Sequence, residues 1–218
     1  LSSAQAETLI YAANAHARDL PGRFAPEDKG CILKPSAEGH AYRMGYFLGD
    51  GTGAGKGRQV ASVILDRWVR GEKRHIWISK NEALLEDARR DWLALGGLPI
   101  DIQPLGQWKL GTKVSMREGI LFVTYPTLRS GRSDATRLDQ IIEWAGEHFD
   151  GLIVFDEAHA MANAAGGEGS GDAERHRRDP ERDGAFVVSA GVEEEAGNHR
   201  REPDRHRRGE LQQTVERG

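Results

Sequence analysis

The chain has 218 residues, a formal net charge of −4, a hydrophobic content of 38% and a single cysteine, Cys31. These values allow one sizeable domain and a tail, exclude an internal disulfide framework and fit a reducing compartment. No apolar run reaches the length of a membrane span and no secretory signal opens the chain, so no membrane partner is expected. The weak net charge gives no global attraction to nucleic acid, and such binding would need a local basic groove.

The first segment, residues 1–20, is predicted to be a helix that Ser2 or Ser3 caps. Its apolar stripe consists of Leu9, Ile10, Ala13 and Ala17. Gln5 lies on this helix, where its amide either reads an adenine base or is an ordinary exposed side chain. Residues 21–42 contain Pro, Gly and charged residues without a clear period, which predicts a loop or an insertion.

A glycine-rich loop follows an apolar strand at 44–48 and precedes a helix at 58–71. Glycines permit backbone conformations in which several N–H groups point at a phosphate, with the positive end of the next helix behind them. Lys56 would add an ammonium group for the β- and γ-phosphates. We therefore predict a phosphate-binding loop made of Asp50, Gly51, Thr52, Gly53, Ala54, Gly55, Lys56, Gly57 and Arg58.

This loop departs from the strict pattern G-x-x-x-x-G-K-[ST] at two positions. Asp50 stands where the first Gly belongs, and Gly57 stands where a Mg²⁺-binding hydroxyl belongs. Arg58 either adds charge at the phosphates or caps the helix. A glycine-rich turn alone is weak evidence, so the assignment depends on a second motif.

The second motif is an apolar strand, Leu152–Phe155, that runs into Asp-Glu-Ala-His at 156–159. In P-loop ATPases such a strand carries an Asp to Mg²⁺, and a neighbouring carboxylate polarises the attacking water. Asp156 is therefore the predicted metal ligand, and Glu157 and Lys56 are the predicted catalytic residues. The alternative interpretation of this stretch is a solvated acidic turn.

Strands and helices alternate between the two motifs. Strands are predicted at 74–79, 100–105 and 119–125, with a less certain one at 113–116. Helix caps are predicted at Asn81 and at Ser133 or Asp134. The apolar stripes consist of Leu84, Leu85, Ala88, Trp92 and Leu95 in the first helix and of Leu138, Ile141, Ile142, Ala145 and Phe149 in the second. This alternation favours an α/β fold with a mostly parallel sheet flanked by helices, and places both motifs at its carboxyl edge.

The composition changes after about residue 165, where Arg, Glu, Asp and His dominate and Trp, Tyr and Lys are absent. Such a segment cannot bury enough apolar surface to offset chain entropy, so it is predicted to be disordered. Its strand-like piece is Val187–Gly191, and an alternative role for the segment is contact with nucleic acid. The predicted division is an N-terminal helix and loop at 1–43, a nucleotide-binding lobe at 44–165 and a charged tail at 166–218.

The two motifs together resemble a known family. Residues 47–58, which end in Gly-Lys-Gly-Arg, are similar to the Strawberry notch family, where this sequence replaces the Gly-Lys-Thr of related helicases. Residues 156–159 match the Asp-Glu-Ala-His box of superfamily 2 helicases. Residues 124–129 resemble the Thr-Tyr-x-x-Leu segment of the same enzymes. The resemblance covers roughly residues 1–165.

The resemblance implies a RecA-like lobe, the first of two, that binds ATP and Mg²⁺ and couples hydrolysis to movement on nucleic acid or to its remodelling. Lys80, Thr124, Tyr125 and Arg129 would contact nucleic acid, and DNA is favoured over RNA. Lys80 and Arg129 could instead be solvated surface charges. Thr124 and Tyr125 could instead be a strand end that packs an aromatic ring.

Related enzymes carry an adenine-reading Gln at the position of Gln5. His159 would either bridge the nucleotide and the coupling segment or begin a helix without a special role. The second lobe and its arginine fingers are missing, so slow hydrolysis by the isolated chain is expected, and the tail is expected to come from a shifted frame or a truncated gene.

The resemblance further implies a cytoplasmic protein of bacterial or phage origin. Two rival functions remain open. One is a non-catalytic remnant that binds nucleotide or serves as an interaction module, and the other is a P-loop enzyme that transfers phosphate to a small molecule.

Overall fold

The computed structural model describes residues 1–26, 33–51, 53–132, 135–158 and the backbone of 185–189. The helices are α1 (Ser3–His16), α2 (Lys56–Val69), α3 (Leu84–Leu93), α4 (Tyr125–Leu128) and α5 (Arg137–Ala145). The strands are β1 (Phe24–Pro26), β2 (Leu33–Pro35), β3 (Tyr46–Leu48), β4 (Arg74–Ser79), β5 (Ile102–Pro104), β6 (Gly119–Thr124), β7 (Gly131–Arg132), β8 (Ala135–Thr136), β9 (Leu152–Phe155) and β10 (Ala185–Ser189). Short 3₁₀ turns flank β5 at Pro99–Asp101 and Leu105–Gln107.

The central sheet has the strand order β3-β10-β9-β4-β6-β5. Strands β9, β4, β6 and β5 pair in parallel, whereas β10 pairs antiparallel with both β3 and β9. Because two antiparallel pairings restore the original direction, β3 runs the same way as β9. The carboxyl ends of β3, β4, β6 and β9 therefore lie at one edge of the sheet. This arrangement confirms the predicted α/β fold class with a mostly parallel sheet.

Helices cover both faces of the sheet and form two cores. On one face, Trp77 and Phe122 pack with side chains of α1, α2 and α3. On the other face, Ile78 and Val123 pack with side chains of α4 and α5. Neighbouring residues of a strand point to opposite faces, so the continuous apolar run of β6 fills both cores. Full burial of a side chain such as Phe122, which is 1% exposed, contributes about 1.5–3 kcal/mol.

Helix α1 packs into the same core as the nucleotide-binding lobe, although the predicted division falls at residue 43. Ala12 is fully buried in the core that contains α2 and α3. The predicted cap at Ser2 is confirmed. The Ser2 hydroxyl accepts a hydrogen bond from the Gln5 backbone N–H, and the Gln5 side-chain oxygen Oε1 accepts one from the Ser2 N–H. The predicted stripe is wrong at Ile10, which is 66% exposed, and at Ala17, which is also exposed.

The predicted starts of α3 and α5 are wrong. Ala83, not Asn81, precedes α3. Residues 82–83 form a turn before the helix, in which the Leu85 N–H donates to the Glu82 carbonyl at 3.0 Å. Thr136 caps α5 in a reciprocal capping box with Asp139. Such a box needs an acidic residue or its amide three positions after the cap. Asp139 meets this need for Thr136, but the residues three positions after 133 and 134 are Thr136 and Arg137.

The predicted strand at 113–116 and the predicted stripe of α5 are wrong for a shared reason. Residues 113–116 form no strand, and their segment instead presents carbonyl groups to α5. The Gln140 amide donates to the Thr112 carbonyl at 2.6 Å, and the Trp144 indole donates to the Met116 carbonyl at 2.7 Å. These bonds turn Gln140 and Trp144 inward, so Leu138 and Ile142 are 50% and 59% exposed.

Two further expectations concern the chain on either side of the lobe. Residues 21–42, predicted to be a loop, contain the antiparallel hairpin of β1 and β2. The strand-like piece of the predicted tail corresponds to β10, whose backbone joins β3 to β9. The rest of the predicted disordered tail and its boundary at residue 165 lie outside the described residues. Within the described part of the chain, no helix has the length and apolarity needed to cross a membrane.

Candidate functional site

The glycine-rich loop leaves β3 at the carboxyl edge of the sheet and enters α2. Gly53 and Gly55 have φ values of 87° and 74°, which side chains with a Cβ adopt only with strain. Gly55 is the N-cap of α2, and none of the described side chains caps that helix end. The first N–H groups of α2 are therefore available to an anion at the positive end of the helix. Thr52 lies outside the described residues.

Lys56 begins α2 and turns its side chain back over the loop. Its ammonium nitrogen Nζ donates to the Asp50 carbonyl oxygen at 3.0 Å. The two ends of the loop are thus drawn together in this structure. A lysine in this position can move to a phosphate oxygen by exchanging one acceptor for another.

Gln59, which was not predicted from the sequence, holds the loop through two hydrogen bonds. Its side chain is 1% exposed, and its amide nitrogen donates to Asp50 Oδ2 at 2.8 Å and to the Ala54 carbonyl at 3.3 Å. With the Asp50 and Ala54 carbonyls engaged, the loop keeps its acceptors away from an incoming anion. The signal in the sequence is a polar residue one turn after Gly55, beside the apolar residues of α2.

Gln5 reaches the same loop from α1. Its amide nitrogen donates to the Ala54 carbonyl at 3.3 Å, and its oxygen accepts from the Ser2 N–H at 3.0 Å. The Gln5 side chain therefore stabilises both the start of α1 and the loop. The alternative interpretation, an exposed side chain without such contacts, does not describe it. Reading an adenine base would require the amide to exchange these partners.

The acidic turn follows β9 and is held by two neighbouring strands. Asp156 Oδ2 accepts a hydrogen bond from the Ser79 hydroxyl at the end of β4, at 3.1 Å. The Asp156 backbone N–H donates to the Ile78 carbonyl at 2.8 Å, and the Tyr125 hydroxyl donates to the Asp156 carbonyl at 2.9 Å. Three contacts from β4 and the end of β6 thus fix the position of this carboxylate.

Burial raises the pKa of the Asp156 carboxyl above its ordinary value. The Ser79 hydroxyl and the positive charge of Lys56 oppose this shift and lower the pKa. The buried indole N–H of Trp77 makes no hydrogen bond of normal geometry to a described residue, yet it also acts on Asp156 and lowers the pKa. The loop and the acidic turn also follow two strands that run in the same direction, β3 and β9, so both lie at the carboxyl edge of the sheet.

Glu157 is the one described residue other than glycine with a positive φ, at 53°. The left-handed conformation costs roughly 1–2 kcal/mol for a residue with a Cβ. Such strain is often found at functional sites, where surrounding contacts hold it in place. His159, just beyond, lies outside the described residues.

Gly57 and Arg58 lie against α3. A Cβ added at Gly57 would overlap the Asp91 carboxylate of α3. Arg58 Nη2 lies 3.5 Å from Asp91 Oδ1. Asp91 was not predicted, because nothing in its position within an amphipathic helix marks it as a neighbour of the loop.

The four residues expected to contact nucleic acid divide into two pairs. Lys80 and Arg129 are exposed and follow β4 and β6 at the carboxyl edge. Thr124 and Tyr125 are 6% and 7% exposed. The Thr124 hydroxyl caps α4 by accepting from the Thr127 N–H at 3.2 Å, and Tyr125 holds the acidic turn. The geometry of this second pair is that of the alternative interpretation, a strand end packing an aromatic ring, and nucleic-acid contact through these side chains stays a prediction.

The donor set fits a magnesium ion held together with a nucleotide. The described residues contain no group of three or more His, Cys, Asp or Glu side chains arranged around a metal. Mg²⁺ needs no such cage, because it keeps several waters and is held by one or two carboxylates and by phosphate oxygens. Asp156 and Glu157, at the edge where the loop also lies, are suitable carboxylates.

A family model described as "P-loop containing NTP hydrolase pore-1" matches residues 1–185. The chain is 38% identical to Protein FORGETTER 1 of Arabidopsis thaliana over 175 residues, which cover 78% of this chain and 12% of the plant protein. It is 39% identical to Protein strawberry notch homolog 2 of Homo sapiens over 168 residues, covering 75% of this chain and 11% of that protein. It is 33% identical to Protein strawberry notch of Drosophila melanogaster over 174 residues, covering 75% and 9%. No solved structure gives a significant match.

The chain therefore spans 9–12% of the length of these three relatives. They come from a plant and from animals, so they do not support the bacterial or phage origin expected from the sequence. The glycine-rich loop, the acidic strand and the parallel strands β4, β5 and β6 all lie within the matched residues. The chain belongs to the P-loop containing NTP hydrolase pore-1 family, in which it is a strawberry notch-like, helicase-type N-terminal lobe.

Proposed function

We propose that this chain is the ATP-binding lobe of a helicase-type ATPase that acts on nucleic acid. The observation that carries the proposal is the shared direction of β3 and β9, which puts Lys56, in the loop after β3, and Asp156, directly after β9, at the same edge of the sheet. The two residues are far apart in sequence, and the parallel sheet brings them to one edge. A loop lysine and a carboxylate after a neighbouring strand are the groups that P-loop NTPases place around a triphosphate and its Mg²⁺.

Each residue has a proposed task at this site. The N–H groups of the loop and the Lys56 ammonium bind the phosphates, with Lys56 leaving the Asp50 carbonyl for a phosphate oxygen. Asp156 would hold Mg²⁺, and the bound ion would neutralise charge on the phosphates. Glu157 accepts a hydrogen bond from the attacking water and orients it. Gln5 lies beside the loop and contacts the base.

Lys80 and Arg129 are proposed to bind the nucleic-acid backbone. Both are exposed, and they lie at the same edge as Asp156 because β4, β6 and β9 are in parallel register. Contacts to phosphate carry no sequence information, so binding would be independent of sequence and would weaken as salt increases. DNA is the proposed partner, and a second lobe from outside this chain would complete the ATPase.

Replacement of Lys56 tests the nucleotide site. We expect Lys56→Ala to weaken binding of a fluorescent ATP analogue in the presence of Mg²⁺ by at least about tenfold, since a charge-assisted hydrogen bond to phosphate is lost. Fluorescence anisotropy measures the affinity. Lys113→Ala, which removes an exposed lysine outside the loop, is the matched control. Equal affinities of Lys56→Ala and the parent would contradict the proposal.

Glu157→Gln separates binding from hydrolysis. The amide keeps the size of the side chain but cannot act as a base, so we expect unchanged affinity for the ATP analogue and loss of phosphate release. Single-turnover phosphate release is the suitable measurement, because it reports the chemical step even when steady-state turnover is slow. Turnover of Glu157→Gln at the parental rate would remove Glu157 from the mechanism.

A second candidate function is a nucleotide-binding module without catalysis. It is favoured by the loop sequence, in which Gly57 stands where a Mg²⁺-binding hydroxyl belongs. ATPase activity with and without single-stranded DNA distinguishes the candidates. A chain that binds the ATP analogue but never releases phosphate, even in single turnovers with DNA present, would be such a module.

A further inference from the structure

Gly57 is a glycine because of the space around it rather than because of its backbone. It is the second residue of α2, and its φ lies outside the positive range that requires glycine. A Cβ at this position would overlap Asp91 Oδ2 and would lie 3.4 Å from Asp91 Cγ. Any larger residue therefore needs Asp91 to move. The carboxylate occupies the space that a serine or threonine side chain at 57 would take.

Asp91 is a buried carboxylate with weak pairing. Its side chain is 12% exposed, and its two oxygens lie 3.5 Å from Arg58 Nη2 and 3.6 Å from Arg90 Nη2. Arg90 has a much closer partner in Asp87, at 2.6 Å. Arg58 Nε is buried and has no hydrogen-bond partner among the described residues. A carboxylate withdrawn from water needs strong compensation, and these long contacts provide little of it.

We propose that Asp91 takes the place of the missing loop hydroxyl and makes nucleotide binding dependent on a divalent cation. Its carboxylate fills the gap left by Gly57, and Arg58 holds it at the end of the loop where the hydroxyl would face Mg²⁺. This inference rests on the proposed function, because it assigns a task to Asp91 within the same nucleotide site.

The electrostatic reasoning has two parts. The Asp91 carboxylate lies beside the phosphate loop with only long contacts to Arg58 and Arg90, so it repels a triphosphate that lacks Mg²⁺. The same carboxylate attracts a hard cation, which prefers carboxylate and water oxygens. Asp91 therefore weakens binding of the bare nucleotide and strengthens binding of the Mg²⁺ complex. The ratio of the two affinities measures this coupling directly.

The first experiment measures the affinity of a fluorescent ATP analogue with Mg²⁺ and with EDTA. We expect Asp91→Asn to reduce the ratio of the two affinities about fivefold or more relative to the parent, because it removes the charge with little change in size. Glu86→Gln is the matched control: it makes the same charge change on α3, but its side chain is 76% exposed. The control should keep the parental ratio.

The second experiment tests the packing of residue 57 against residue 91. Gly57→Ser restores the usual hydroxyl but collides with Asp91, so we expect weaker binding of the Mg²⁺ complex. The double variant Gly57→Ser with Asp91→Ala has room for the hydroxyl, and we expect it to recover most of the affinity. Asp91→Ala alone leaves neither oxygen in place, so we expect it to bind the Mg²⁺ complex more weakly than the double variant does. Thermal unfolding of each variant confirms that the fold is retained.

The outcomes separate this inference from the proposed function. A parent that binds no nucleotide with Mg²⁺ would overturn both. A parent that binds while Asp91→Asn keeps the parental ratio would overturn only the role of Asp91. If Asp91→Asn does not fold, Gly57→Ser decides the question, and parental affinity in that variant would overturn the inference.

Discussion

Glu157 is the residue at which stability and the proposed chemistry conflict. Its φ of 53° is unfavourable for a side chain with a Cβ, and the preceding Asp156 is fixed by contacts from β4 and Tyr125. A glycine would fit this backbone better but would remove the carboxylate. The retention of a strained acidic residue is therefore understandable if the carboxylate is needed for function.

Replacement of Glu157 by glycine should stabilise the fold. We expect Glu157→Gly to raise the free energy of unfolding by about 0.5–1 kcal/mol, since relief of the left-handed conformation exceeds the added freedom of the unfolded chain. Urea denaturation measures the change. Glu157→Gln keeps the strained backbone and is the control. A glycine variant no more stable than the glutamine variant would contradict this explanation.

Hydrogen bonds within the loop also order the proposed phosphate site. Gln59 engages the carbonyl of Ala54 and the carboxylate of Asp50, and Lys56 engages the carbonyl of Asp50. These contacts turn acceptor groups away from the centre of the loop. Positive groups and N–H donors then remain to receive phosphate.

At the scale of secondary-structure elements, His75 links β4 to the start of β9. The Leu152 N–H donates to His75 Nδ1 at 3.1 Å, so Nδ1 is unprotonated and Nε2 carries the hydrogen that it donates to the Glu72 carbonyl at 2.9 Å. The ring is fully buried and stacks on Trp68. Burial lowers the pKa of His75 to about 4 from its ordinary 6.5.

This histidine predicts a loss of stability on acidification. Because its folded pKa is depressed, the unfolded chain binds the proton more readily between pH 6.5 and about 4. The stabilising effect of the neutral ring is complete above that range and falls by about 3 kcal/mol across it. Urea denaturation at a series of pH values measures the trend.

The contribution of His75 is isolated by comparison with His75→Gln, which does not titrate. Glu72, Arg67 and Lys73 lie near the ring and titrate or carry charge in both proteins. Their effects largely cancel in the difference between the two chains. Parallel pH profiles of the parent and His75→Gln would contradict the assigned role of the ring.

Helix α5 and the segment before β6 show the limits of periodicity at this scale. The apolar pattern of α5 predicts that Leu138 and Ile142 are inside, but the hydrogen bonds of Gln140 and Trp144 to backbone carbonyls rotate the helix. Because those carbonyls belong to an irregular segment, no strand signal there could have revealed them. Polar contacts between distant segments override a local apolar pattern.

At the scale of the whole molecule, the sheet determines where the site lies. The register pairs Ser79 with Thr124 and Ile78 with Phe155, so β4, β6 and β9 end at one level. The loop after β3 and the turn after β9 emerge at that edge. This matches the general tendency of α/β sheets to bind ligands beyond the carboxyl ends of their strands.

Much of this fold could be predicted from the sequence because buried parallel strands are continuous apolar runs. Strand β4 occupies residues 74–79 as predicted, and β6 ends one residue earlier than predicted because Tyr125 begins α4. The hairpin of β1 and β2 was missed because its strands are short and without alternation. The predicted caps of α3 and α5 were wrong because a turn precedes α3 and a capping box starts α5 at a later residue.

The residues of the candidate site could be predicted where they belong to short sequence motifs. Lys56 and Asp156 each lie in a short stretch with a recognisable pattern. Gln59 and Asp91 contribute through packing between elements, which no local pattern encodes. Tyr125 belongs to a recognisable motif, but its hydroxyl holds the acidic turn instead of facing outward.

The central claim is that Lys56 and Asp156 meet around one triphosphate. A crystal structure of the chain with a slowly hydrolysed ATP analogue and Mn²⁺, with the metal located by its anomalous scattering, tests this claim most directly. We predict that Lys56 Nζ lies within hydrogen-bond distance of a β- or γ-phosphate oxygen and that Asp156 contacts the metal directly or through one water. Phosphates bound away from the loop, or a metal remote from Asp156, would contradict the account.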